Sequence, residues 1–583
     1  MRKRKTRLIS IMFAAVFCGS ALFGCFGCKP FFPPDPPDPP DPTKSQLLVH
    51  NYNGGIGTGW LDKAKLAFEE KFKDFCFEPG VYVEGVEKKG VQIQIDADKQ
   101  TPSPASSSYN VFFQQQTSYN DLISKKEIMD ISDIVTGSLS GISDGAETGT
   151  IENKLNESQR KALTAVGQGK YYALPHYAGY YGLTYDKDVF NIKELYFAEG
   201  GGWTGDGGAQ KTVGPDGVRG TYDDGLPSSY EEFYLMMQQM RNMSVTPFTW
   251  TGTYANIYTN ILLLGLWAAY GGESEFMLNV NFGTGEGQGV QTEIITELTG
   301  TNLFAAAELK GKVPVLSNRT MTAADGYLMT QQAGVYYALT MLETIMATPA
   351  NYSSRITAAL SHLDAQEDFI RGPLEGKPIG MLIDGNYWYN EASEAFKRAI
   401  NTYKEDAENR NFAWMPLPSK IKGKVTEGET VKKNTIIDGL SSFAYINANI
   451  SDANIAKLAK TFLQFLYTDE QLAEFTMSNG MMKGVNYTIP ADKLNGMNSF
   501  YRSVYETARA SDIAYPYSEH PIFVNAQTAF NLSLNTPFFN STVSGLPYSS
   551  PYTAFQKGIS ADAYFKGMWK SKGSWDALYK QYY

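Results

Sequence analysis

The sequence predicts an α/β fold built as two large lobes, and three observations carry that reading. From residue 46 onward, segments read in the order strand, helix, strand, strand and helix, the order of an α/β unit. The chain has 583 residues, more than one hydrophobic core ordinarily serves. Its 78 aromatic residues (8 Trp, 37 Tyr and 33 Phe) within a 43% hydrophobic composition fill such cores and leave rings for a binding face.

The first element is an export leader. Arg2, Lys3, Arg4, Lys5 and Arg7 precede the apolar run "LISIMFAAVF", which is too short to cross roughly 30 Å of hydrocarbon as a helix. Leu22-Phe23-Gly24-Cys25 then resembles the lipobox of bacterial lipoproteins, with Phe23 departing from the small residue usual at that place. The resemblance implies cleavage after residue 24 and a lipid on Cys25, with Cys28 as the alternative site and a plain secretory signal as the alternative reading. Residues 25–45 contain "PPDPPDPPDP", which lacks most amide donors and is held by its rings as an extended stalk of ~30 Å at ~3.1 Å per residue. Without its leader the chain carries 46 Lys+Arg against 61 Asp+Glu, a net of −15. Nucleic acid is therefore not an expected partner, since phosphate binding needs clustered cations. In the folded part only Cys76 remains, so no disulfide framework forms there, and Cys76 itself is expected to be a small buried hydrophobe.

The globular part opens with "SQLLVHNYNGG", a short strand ending in Asn and Gly. "GWLDKAKLAFEEKFKDF" follows as a helix, with Leu61, Ala64, Phe68 and Phe72 on one face. "VQIQID" alternates as a strand and "YNVFF" is another. From "GKYYALPHYAGYYGLTYDKDVF" onward the chain resembles the family 1 extracellular solute-binding proteins, the carbohydrate-binding subunits of ABC importers. "LWAAYGGESEF", "GKPIGMLIDGNYWYNEA", "FAWMPLPSK", "TIIDGLSSFAYINA" and "LAKTFLQFLYTDEQLAEFTMSNGMM" continue the likeness in the same order.

That resemblance implies a two-lobed, periplasmic-binding-protein-like fold, similar to maltose-binding protein, with ligand held between the lobes. It places chain crossings near Gly179–Thr184 and Ile437–Ser442, where glycines sit beside small residues able to absorb closure. Lobe one is then 46–180 with 436–498, and lobe two is 181–435 with 499–583.

Enzyme signatures were sought in the residues. No H-E-x-x-H or phosphate-cradling loop is present, and the four histidines (His50, His176, His362 and His520) are scattered. "GISDG" (141–145) fits G-x-S-x-G but lies in a polar stretch rather than between strand and helix. Carboxylate pairs for glycoside hydrolysis meet only in space and leave no sequence trace.

Sugar binding needs aromatic faces for pyranose C–H groups and short polar side chains for hydroxyls. Asp384 and Asn386 beside Tyr387 and Trp388 supply both, and either ring is a candidate for the cleft. Strand ends and crossings add Asn53, Trp60, Tyr119, Tyr177, Tyr181, Trp250 and Tyr254, each also a candidate for core packing. Two or three rings at ~1–3 kcal/mol each, with hydroxyl bonds, reach the ~8 kcal/mol of micromolar binding.

Certain oligosaccharide-binding members of the family carry a calcium loop near "TVGPDGVRGTYDDGLPSSYEEF". Asp216, Asp223 and Asp224 are the metal candidates that this likeness implies. Thr212 and Gly214 stand where Asp or Asn is usual, and the alternative is a Gly/Asp-rich insertion whose Ser228 or Ser229 caps the next helix.

The expected protein is a non-enzymatic, monomeric, lipid-anchored receptor on the extracytoplasmic face of a bacterial membrane. It captures an oligosaccharide for importer permease subunits and requires no cofactor beyond structural calcium. The competing expectations are a surface glycoside hydrolase, a binder of a non-sugar solute, and an adhesion or scaffolding lipoprotein.

Overall fold

The computed structural model describes residues 39–115, 119–281, 289–300, 303, 309–439, 442–516 and 540–582. The leader, Cys25, Cys28 and most of the proline run lie outside the described residues. Among the described residues no helix is long and apolar enough to cross a membrane.

Two sheets organise residues 41–583. The first runs Val91–Asp98, Ser45–Tyr52, Val111–Gln115, Ser442–Ile446, Ala173–Pro175. Ser45–Tyr52 is parallel to both neighbours, whereas Ser442–Ile446 is antiparallel to both of its own. The β-branched and aromatic residues Val49, Ile93 and Phe113 bury their side chains on one face of it, and Phe112 packs on the other against His50 and Tyr445. The helix Gly59–Lys71 covers the first face with Trp60, Leu61, Ala64 and Phe68, and it ends at Lys71 so that Phe72 becomes its C-cap residue.

The second sheet runs Thr246–Thr249, Ile379–Gly385, Tyr180–Asp186, Thr435–Asp438, Asp512–Ala514, and Phe412–Met415 also pairs with Tyr180–Asp186. Its strands are near-continuous apolar runs, as buried central strands require. The helix Ala255–Gly271 packs over it and is itself buried almost all round, from Ile261 to Ala269, because Ala333–Met346 closes its other side.

Among the described residues the chain passes between the two sheets three times: by two short passages, and by residues 447–511, which return it to Asp512–Ala514. The first short passage, residues 176–179, leads from Ala173–Pro175 to Tyr180–Asp186; the second leaves Thr435–Asp438 at Gly439 and joins the first sheet again at Ser442–Ile446. Thr184 lies inside its strand opposite Trp414, not in a connection. The two short passages are bonded together: Gly439 N–H donates to the Gly179 carbonyl (2.9 Å) and Gly179 N–H donates to Asp438 Oδ1 (3.0 Å). A side chain at position 439 would fall on the Tyr181 ring, within 2.0 Å of its atoms, so only glycine lets the passages lie this close.

Candidate functional site

The site grows from the end of Ile379–Gly385. Paired antiparallel with Tyr180–Asp186, this strand sets Asp384 opposite Gly182 and Gly385 opposite Tyr181, directly beside the first passage. Asn386 fastens the two together. Its Oδ1 accepts from Tyr180 N–H (3.0 Å), its Nδ2 donates to the Ala178 carbonyl (3.2 Å), and its own N–H donates to the Tyr180 carbonyl (3.1 Å). These bonds use the whole carboxamide, so Asn386 holds backbone at the crossing where the sequence had suggested a ligand contact.

After Asn386 the chain turns into the short helix Trp388–Glu391, and the two adjacent rings part. Trp388 is fully buried against Phe369, Phe412 and Phe500, with centroids 5.4–5.6 Å away. Tyr387 stays half-buried, lies over Gly385, and neighbours Tyr181 and Tyr258. A Cβ at position 385 would come within 2.1 Å of the Tyr387 ring, so Gly385 is what allows the ring to lie back on the strand. Of the two candidates, Tyr387 is the ring left for the cleft.

Asp384 and Glu391 form a carboxylate pair. Gln366, fully buried on the helix His362–Arg371, donates one N–H to Asp384 Oδ2 and the other to Glu391 Oε2, both at 3.1 Å. Asp384 also accepts from Gly385 N–H (2.7 Å). Burial, and then the Glu391 charge, push the Asp384 carboxyl well above the usual range. Burial pushes Glu391 up to about 7, opposed by the Gln366 bond and by Lys99. The pair thus shares protons near neutrality and can donate as well as accept hydrogen bonds.

The first lobe meets this pair through its Gly-rich loop. A Cβ built on Gly55 would lie 2.7 Å from Glu391 Cγ, so the loop touches Glu391 without intervening space. Beside it the Tyr177 hydroxyl donates to Gln115 Oε1, and Tyr177 lies near Tyr52 and Glu391. Lys99 is close enough to act on both Glu391 and His362. Tyr177 and Tyr181 are therefore both at the crossing, where Tyr181 spends its hydroxyl on the Gly439 carbonyl (2.8 Å).

The remaining candidates part from this cluster. Trp60 is buried against Phe113, His176 and Phe475, with centroids 5.0–5.1 Å away. Tyr119 is buried, stacked on Phe443 and bonded to the Leu163 carbonyl (2.7 Å). Trp250 is buried beside Tyr352. All three are core residues: Trp60 and Tyr119 lie in the first turn of helices that pack on the sheet, and Trp250 directly follows the strand Thr246–Thr249. Tyr254 is 48% exposed, with its ring 6.4 Å from His362, and is the one of these four that a ligand can reach. Asn53 is half-buried and accepts from Gly57 N–H (3.2 Å), closing its own loop. Cys76 is half-buried rather than buried. Ser143 of "GISDG" accepts from Glu147 N–H (2.9 Å) as part of a turn.

In the acidic insertion the carboxylates satisfy the loop's own amides. Asp223, fully buried, accepts from Asp216 N–H (3.0 Å) and the Thr221 hydroxyl (2.8 Å), Asp216 from Val218 N–H (2.7 Å), and Asp224 from Gly220 N–H (2.8 Å). Burial and the neighbouring Asp216 push Asp223 up to about 8. Among the described residues no group of three or more His, Cys, Asp or Glu side chains is placed to hold a metal ion. Of the capping candidates, Ser229 caps the helix Tyr230–Asn242.

Sequence reasoning missed Gln366, Glu391, Tyr258, Gln115 and Lys99. Glu391 carried a faint signal, lying one helical turn after Tyr387. Gln366 carried none, because its role depends on a helix packed against a strand eighteen residues later.

No protein-family model matches the chain, and no curated protein matches it. Solved structures do. A chitin oligosaccharide binding protein aligns over 92% of this chain and 99% of its own at 13% identity and a TM-score of 0.48. RafE in complex with raffinose aligns over 91% and 100% at 12% identity and 0.48. Maltose-bound T. maritima MalE3 aligns over 92% and 100% at 12% identity and 0.46.

Proposed function

We propose that this chain is a solute-binding receptor of an ABC importer, held by a lipid on Cys25 at the outer face of a bacterial membrane. It takes a carbohydrate, of oligosaccharide size, between its lobes. The observation that carries the reading is the double passage at Gly179 and Gly439, with Tyr387, Glu391 and Asp384 of one lobe set against Gly55, Tyr177 and Gln115 of the other. Such an arrangement lets a ligand contact both lobes, so that binding favours closure. Tyrosine faces suit C–H surfaces, and amides with half-titrated carboxyls suit hydroxyls in either hydrogen-bond sense. The order of motifs along the chain agrees, as does a leader ending in Leu-Phe-Gly-Cys.

Calorimetric titration of the leaderless chain against α- and β-linked oligosaccharides tests the reading. Micromolar binding to one class is expected; silence across the panel would turn attention to a non-sugar solute. Radiolabelled palmitate incorporation, lost in Cys25→Ala and retained in Cys28→Ala, tests the anchor. Calcium-dependent change in thermal stability tests a metal in the 212–224 loop.

The Asp384–Glu391 pair gives one reason to test a hydrolase as well, because paired carboxyls are the machinery of glycoside hydrolysis. Gln366 binds both carboxyls at once and holds them together, which favours binding over catalysis. Sugar release that disappears in both Asp384→Asn and Glu391→Gln would reverse that preference.

A further inference from the structure

Beneath the first passage lies a buried amine without a counter-ion. Lys483 is 1% exposed and its Nζ has no carboxylate within salt-bridge reach among the described residues; its partner is His176 Nδ1 at 2.8 Å. Four rings enclose the amine, with centroids 4.6 Å (Phe475), 4.9 Å (Trp60), 5.1 Å (Tyr467) and 5.4 Å (Phe113) from Nζ. His176 is also 1% exposed, and among the described residues neither its Nε2 nor Trp60 Nε1 finds a hydrogen-bond partner. Three unsatisfied or under-satisfied polar groups in one apolar setting are a destabilising arrangement that a methionine at position 483 would relieve. A cavity of about 180 Å³ between the helices Gly59–Lys71 and Asp469–Asn479 is lined by Trp60, Lys63, Glu470, Glu474, Phe475 and Lys483.

We propose that Lys483 is a covalent site for a small neutral aldehyde or ketone, which it holds as a reversible imine in this cavity. The amine nitrogen attacks the carbonyl carbon, forming a C–N bond while the C=O pair moves onto oxygen. His176 Nδ1 takes the proton leaving nitrogen and returns it to that oxygen. That transfer gives a carbinolamine; a second proton then reaches its hydroxyl through His176, water departs as the nitrogen lone pair closes the C=N bond, and the remaining N–H gives its proton back to His176, so that one water is released and nothing is oxidised or reduced. Burial holds the lysine well below its ordinary range, which favours the neutral amine, the nucleophilic form. Burial likewise keeps His176 uncharged and able to accept a proton. The rim carries Glu470, Glu474 and Lys63, with Glu474 paired to Lys493 (2.5 Å), so a neutral carbonyl compound meets no net charge there. Other titratable groups nearby are the hydroxyls of Tyr467, on the Pro175 carbonyl (2.6 Å), and Tyr487, on Lys483 N–H (3.1 Å); burial raises both.

The test is competitive reductive alkylation of the intact folded chain with propanal and cyanoborohydride, read by peptide mass spectrometry. Lys63 on the exposed rim of the same cavity is the internal reference. At pH 7 Lys483 should be alkylated at least ~10-fold faster than Lys63, and the ratio should fall toward one near pH 10, where an exposed lysine also becomes a free base. His176→Ala should slow labelling at Lys483 and leave Lys63 unchanged. Labelling of Lys483 no faster than Lys63 at pH 7 in the unsubstituted protein overturns the proposal, as does a ratio independent of pH.

Discussion

The two strand ends that face each other across the passages are built from similar residues and use them differently. In the first lobe, Ser45–Tyr52 ends in Asn53, a Gly-rich loop and Trp60; in the second, Ile379–Gly385 ends in Asn386, Tyr387 and Trp388. Each tryptophan goes into the core and each asparagine holds backbone. The difference is what remains. The first lobe offers a nearly bare loop, with Gly55 open to contact, whereas the second adds Tyr387 and two carboxyls bridged by Gln366. Chemistry is thus concentrated on one wall, and the other is shaped to approach it.

Substitutions can break that contrast in order of size. Trp388→Ala should cost about 3–5 kcal/mol of stability, as for large aromatic truncations in cores, read by chemical denaturation; a loss below 1 kcal/mol would mean the ring is not core. Tyr387→Ala, one residue away, should leave stability nearly unchanged and weaken ligand by about 1–3 kcal/mol in calorimetry, the value of one stacked ring. Equal effects of the two substitutions on binding would erase the distinction between them.

Glu391→Gln tests the carboxyl wall. Its folded-state pKa is raised from 4.5 to about 7, so its favourable contribution is complete below pH 4.5 and is lost as pH rises through 7. Stability of the unsubstituted chain should therefore fall between about pH 4.5 and 7, by up to ~3 kcal/mol from this group, and the Gln variant should be flatter over the same window. An unchanged slope would show that the pair does not share protons. Smallest is Asn53→Ala, which removes one bond inside the first loop and should cost about 0.5–1.5 kcal/mol without altering the pH profile.

Much of this was legible in the residues. A period-two run marked Val91–Asp98, a short β-branched and aromatic run marked Val111–Gln115, and the spacing of Leu61, Ala64 and Phe68 marked a helix, since local geometry favours these patterns. The neighbourhood of "IDGNYWYN" was also legible as a polar and aromatic strand end. Which of its residues face the cleft was not, because Trp388 is buried by Phe369, Phe412 and Phe500, three residues separated by more than a hundred positions. Trp60, Tyr119 and Trp250 became core for the same reason: exposure belongs to a side chain together with whatever packs on it.

By itself the sequence determined the alternation of strands and helices, because this follows from backbone geometry and the period of apolar residues. It also determined a net charge unsuited to nucleic acid. Only the tertiary structure decided that Gln366 joins Asp384 to Glu391, that Gly55 meets Glu391, and that Lys483 meets His176 beneath the crossing. Those are encounters between residues far apart in the chain, and hydrogen-bond reach of about 3 Å is a property of the folded chain, not of spacing along it.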